Sequence, residues 1–150
     1  MAEGKASTRK NRVLAIAIGV AVLAAVVYLG SLKTPRHVSG LCPEIRQAEL
    51  CEVLYMDEDM KSTITSLDGE GLKGLIEKLD SLSLYPLPGR RGSGGSTILM
   101  GNTDWTFYFR INGENAKVSV TVTDRGEVSV GDRVFEVRTE ELEPLLEGLS

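Results

Sequence analysis

Residues that carry common catalytic chemistry are scarce in this 150-residue chain. It has one histidine, His37, two cysteines, Cys42 and Cys51, and one tryptophan, Trp105. A Ser-His-Asp or Cys-His site needs its histidine held in place by packing. His37 instead lies in a short polar stretch just past a long apolar run. Two cysteines and one histidine are too few, and too irregularly spaced, for a zinc site. Basic residues are not in excess either. Seventeen Lys and Arg against 21 Asp and Glu leave a net charge of −4, which argues against a nucleic-acid role, since that needs a basic face. Asp57-Glu58-Asp59 lacks the glycine of a calcium loop, and Lys61 stands where a third alternating acid would be. Arg90 to Ser96, RRGSGGS, lacks the Gly-Lys-Ser/Thr ending of a phosphate loop. No catalytic set, metal or cofactor is expected, and the chain does not read as an enzyme.

What the chain does have is one unbroken apolar run. Val13 to Leu32, VLAIAIGVAVLAAVVYLGSL, contains no charge and no proline, and Ser31 is its one strongly polar residue. About 20 helical residues span roughly 30 Å, the thickness of a bilayer's hydrocarbon core. A cleaved signal peptide would share the basic start, here Lys5, Arg9, Lys10 and Arg12. Its apolar stretch is shorter, however, and the best cleavage candidates, after Ala24 or Ala25, lie inside the run. Cys42 follows Leu41 and sits ten residues past the run, which does not fit a lipoprotein signal. Residues 13–32 are therefore read as a single transmembrane helix. Four basic residues in the first twelve, against Lys33 and Arg36 beyond the run, place the N-terminus in the cytoplasm. Residues 1–12 become a cytoplasmic basic stub. Ala17, Ala21 and Ala25, and separately Ala15 and Gly19, form small-xxx-small faces suited to a weak homodimer within the lipid bilayer.

Residues 33–150 hold 13 Lys and Arg against 20 Asp and Glu, a net charge of −7. Residues 33–41, with Pro35 and Gly40, read as a linker. Residues 42–150 then form an extracytoplasmic domain. An even cysteine count in an oxidising compartment points to a Cys42–Cys51 disulfide closing a short loop. Two free thiols are the alternative.

Within the domain the apolar period changes twice. A strand is expected over 48–56, an acidic turn over 57–61 and a short β segment from Ser62. Leu72, Leu75, Ile76, Leu79 and Leu82 form one stripe and predict a helix over 68–82. Pro86 to Ser96 reads as a Gly/Ser-rich loop. From Thr106 the period is two. Asn112-Gly113, Asp124-Arg125-Gly126 and Gly131-Asp132 punctuate four short strands of an antiparallel meander. Thr139 to Leu149 predicts a second helix, capped at Thr139 and disturbed by Pro144. The fold class is α+β: a two-layer domain with a β-meander packed against two helices. Trp105, Tyr108 and Tyr85 are candidates for an aromatic platform. Trp105, Tyr108, Arg90 and Arg91 form the candidate interaction surface.

The segments ITSLDGEGLKGLIEKLDSL, GDRVFEV and TEELEPLLEGL give residues 62–150 a cadence. It resembles small extracytoplasmic domains of bacterial, Gram-positive-type lipoproteins and single-pass membrane proteins of unknown function. The resemblance implies a bacterial surface protein and carries over no functional residues. The reading is a protein anchored in the cell membrane whose outer domain binds or assembles with another membrane or envelope protein. Two rivals stand beside it. One is a ligand sensor working through a partner, since a twelve-residue stub leaves no room for an output domain. The other is a carboxylate-based cell-wall hydrolase, which needs two acids facing each other across a cleft, about 5–10 Å apart.

Overall fold

A computed structural model describes residues 3–91, 103–116, 118–147 and 149. The chain divides into two units, Met1–Thr34 and Pro35–Ser150. The first is one α-helix, α1 (Glu3–Leu32), which runs back beyond the apolar stretch through the basic residues. Ser31, the polar exception of the apolar run, donates its hydroxyl to the Tyr28 carbonyl at 2.7 Å, so the side chain is satisfied within the helix. From Val13 to Leu29 every large apolar side chain is at least 55% exposed. Lys10–Leu32 is long and apolar enough to cross a membrane.

The second unit begins earlier than the predicted linker boundary. Val38–Leu41 forms a one-turn helix, α2, followed by a 3-10 turn over Pro43–Gln47. Val38, Cys42 and Ile45 are buried in the core. Arg36 also pairs with Leu84, backbone to backbone. Val38 is a single apolar residue between polar neighbours, which gives no periodicity to read.

Next come the hairpin β1 (Leu50–Met56) and β2 (Ser62–Asp68), then α3 (Gly69–Ser81). β3 (Tyr85–Arg91) follows, and then β4 (Asp104–Ile111), β5 (Glu114–Asn115), β6 (Val120–Thr123), β7 (Glu127–Val130) and β8 (Arg133–Glu136). The chain's last helix is α4 (Thr139–Leu146). All pairings are antiparallel, in the order β2-β1-β4-β6-β7-β8-β3, with β5 beside β4. The α3 crossover thus carries the chain from one edge strand to the other. The predicted meander is present, with Asn112 and Gly113 both at positive φ, 52° and 77°, as a tight hairpin turn needs. Gly126 is required for a different reason. A Cβ there would lie 2.6 Å from the Val137 carbonyl oxygen.

Register places Val53, Phe107, Val120 and Val130 in one row across the sheet. Tyr55, Trp105, Val122, Val128 and Phe135 form the next row. This face meets Leu72, Leu75 and Leu79 of α3 and Leu142 and Leu145 of α4 in a single core. The opposite face carries Leu54, Thr106, Thr121 and Ser129, and it is not uniformly solvated. Thr106 is 1% exposed, with its hydroxyl 3.1 Å from that of Thr121.

Three expectations are corrected. The segment from Pro86 to Arg91 is an edge strand rather than loop. Proline is tolerated there because an edge leaves one side of the backbone unpaired. Residues 92–96 of the expected loop lie outside the described residues. The cap of α4 falls on Arg138, not Thr139, and has no side-chain hydrogen bond.

The two cysteines form no disulfide, against expectation. Cys42 and Cys51 are free, buried and not near each other. Cys51 faces the core from β1, whereas Cys42 lies between α2 and the 3-10 turn. Burial, helped by the nearby Glu44 charge, pushes the Cys42 thiol up to about 11. Burial, with Glu52 adding, pushes Cys51 up to about 12. Both folded values lie above the unfolded one. The neutral thiols therefore contribute stability in full below about pH 9, and it is lost as the pH rises toward those values. Iodoacetamide at pH 8 is expected to leave both cysteines unmodified in the folded chain and to alkylate both in denaturant. Mass spectrometry reads the difference.

Candidate functional site

Asp80, at the end of α3, organises the segment that precedes β1. Its Oδ1 accepts the Ser39 backbone N–H at 3.0 Å, and its Oδ2 accepts from Arg46 at 3.1 Å. Arg46 also donates to the Ser39 hydroxyl at 2.9 Å, and His37 Nδ1 donates to the Asp80 carbonyl at 3.0 Å. The lone histidine is thus tied to α3. Partial burial pushes the Asp80 carboxyl up, but the Ser39 and Arg46 hydrogen bonds outweigh it and hold it below the usual carboxylate range. A lowered folded value means that its contribution is complete above about pH 4 and is lost as the pH falls through that value. Arg46 is mostly exposed, so the effect is modest. Asp80→Asn is expected to cost about 1 kcal/mol at pH 7 and much less at pH 3, read from urea unfolding at both. This cluster is a structural latch.

Two clefts remain. One, of about 430 Å³, lies between the 3-10 turn and α3, where Arg46, Glu49, Lys73 and Glu77 surround Leu72 and Ile76. Its charges are of both signs, which selects no ligand class. The other, of about 470 Å³, lies at the C-terminal end of α4. Its apolar wall is Tyr55, Trp105 and Leu146, with the two aromatic rings 5.4 Å apart and tilted by 45°. Asp124, Glu143 and Glu147 supply three carboxylates, with no basic side chain among the described residues of the lining. Trp105 is 6% exposed, and its indole Nε1 has no hydrogen-bond partner among the described residues. A buried donor without a partner is uncommon and costs about 1–3 kcal/mol. The C-terminal end of a helix adds negative partial charge. Aromatic faces beside carboxylates suit a cation.

The sequence picks out only Trp105 in this cleft. Tyr55, Asp124 and Glu143 come from distant positions, and only the sheet register and the placement of α4 bring them together. The other candidate residues lie elsewhere. Tyr108 is half-buried on the opposite face of β4, because neighbouring strand residues alternate. Tyr85 shares that face through its pairing with Glu136, but β6, β7 and β8 separate it from Tyr108. Arg90 is exposed and paired with Glu127. Arg91 belongs to β3, and its side chain lies outside the described residues. The acidic turn is internally committed. Asp57 Oδ1 accepts from the N–H groups of Asp59 and Lys61, at 3.0 and 2.8 Å. Among the described residues, no group of three His, Cys, Asp or Glu is placed to hold a metal ion.

The architecture is thus a two-layer α+β domain preceded by one apolar helix. No family model, curated protein or solved structure matches the chain, so the pattern resemblance over residues 62–150 assigns it to no family.

Proposed function

We propose that this is a single-pass membrane protein, N-terminus in the cytoplasm, whose domain outside the cell membrane binds or assembles with another envelope protein. The observation that carries this reading is α1, whose large apolar side chains from Val13 to Leu29 are all more than half exposed. In water so continuous an apolar surface is costly, whereas in a bilayer it is the favourable state. The basic residues on its N-terminal side support the orientation. The cleft beside Trp105 is the part of the domain assigned to the partner. Aromatic rings and three carboxylates favour a lysine or arginine side chain. The test is affinity isolation of the tagged chain from crosslinked membranes, compared with Glu143→Lys/Glu147→Lys. A defined envelope protein recovered with the natural chain and lost with the variant supports the reading. Recovery that ignores the variant removes the cleft from it, and recovery of nothing removes the assembly role.

A further inference from the structure

The two edges of the sheet are built differently. β3 carries Pro86 and Pro88, and its register with β8 shifts between Pro86 and Arg91. Such interruptions deny an incoming strand a regular template. β2 is seven residues long, keeps one register with β1 from Ser62 to Asp68, and contains no proline, lysine or bulge. All of it except Leu67 is exposed, and Ile64 is 67% exposed.

The hairpin fixes which backbone groups are free. The Asp57 N–H donates to the Lys61 carbonyl at 3.0 Å, which makes positions 57 and 61 a hydrogen-bonded pair. Antiparallel ladders alternate bonded and non-bonded pairs. Thr63, Thr65 and Leu67 therefore direct their backbone groups to β1. Ser62, Ile64 and Ser66 turn theirs to the edge that no described strand covers. Residues 62–66 read Ser-Thr-Ile-Thr-Ser, the same in both directions. An antiparallel strand related by a two-fold axis through Ile64 sets Ser62 against Ser66, Thr63 against Thr65 and Ile64 against itself. Every outward-facing backbone group of the segment then meets another, giving about six hydrogen bonds at two per bonded pair. No charges are opposed, Thr–Thr pairs are favourable, and the most exposed apolar side chain of the strand covers its own copy.

We propose that β2 pairs with β2 of a second copy of this chain, antiparallel about Ile64, joining two sheets into one. The pairing needs neither the membrane nor the cleft beside Trp105, so it goes beyond the function proposed above. It is tested by sedimentation of the full chain in detergent micelles. Ser66→Pro removes an outward donor while sparing the β1 ladder, and Ile64→Lys sets two like charges on the axis. The natural chain is expected to dimerise. Each variant is expected to weaken dimerisation by roughly tenfold or more, about 1.4 kcal/mol, with the circular dichroism spectrum unchanged and the thermal midpoint unchanged at dilutions where the natural chain is monomeric. As a register check, mixing Ser62→Cys and Ser66→Cys chains should give a crosslinked heterodimer in greater yield than either alone. A chain that stays monomeric at all concentrations overturns the proposal. So does a dimer indifferent to both substitutions, which would assign association to α1 instead.

Discussion

Phe107→Ala is expected to lower the unfolding free energy of the domain by about 3–5 kcal/mol, a large part of the total stability of a typical domain. Phe107 is fully buried on β4, with Val53 of β1 on one side and Val120 of β6 on the other. It lies in the shared core with leucines of both covering helices. Rigid strands on both sides limit how far the structure can relax into the space left behind, so the cavity cost adds to the lost burial. Trp105, two residues away on the same face and the only tryptophan, reports unfolding by fluorescence. Phe107→Leu keeps most of the volume and is expected to cost well under half as much. A loss below about 1 kcal/mol for the alanine variant would contradict the packing described.

The second large effect is expected in α1. Val20→Arg with Leu23→Arg places two charges near the middle of the apolar run, where each costs about 2.5–3.5 kcal/mol on insertion scales. Together they are expected to move the chain from the membrane fraction to the soluble fraction or to degradation. Val20→Leu with Leu23→Val, which keeps the apolar surface, is expected to change nothing. Retention of the doubly charged chain in washed membranes would show that α1 is not what holds it there.

The parts legible in the sequence are those with a clean period and local punctuation. The leucine stripe of α3 predicts 68–82, and the helix runs Gly69–Ser81. Alternation after Thr106, broken at Asn112-Gly113, gives the meander directly. β3 is hidden because Pro86, Pro88 and Gly89 signal a loop, and only an edge position far along the sheet makes them acceptable in a strand. Val38 is hidden because one residue has no period. The disulfide expectation fails because a nine-residue spacing says nothing about where two side chains point. Cys51 is committed to the sheet's inner face by alternation along β1, while Cys42 is committed by the turn after α2. The cleft beside Trp105 is hidden for the same reason as most sites. Its acids come from the β6–β7 turn and the last turn of α4, and no local pattern links them.

A membrane-anchored protein of the proposed kind keeps α1 in its mature chain as a membrane span. Intact mass and N-terminal sequence of the protein recovered from alkaline-washed membranes, with protease added outside intact cells, test this most directly. The expected result is a chain that retains residues 13–32, stays with the membrane after the wash, and loses its domain to external protease. A soluble chain whose N-terminus begins after Ala24 or Ala25 would contradict it.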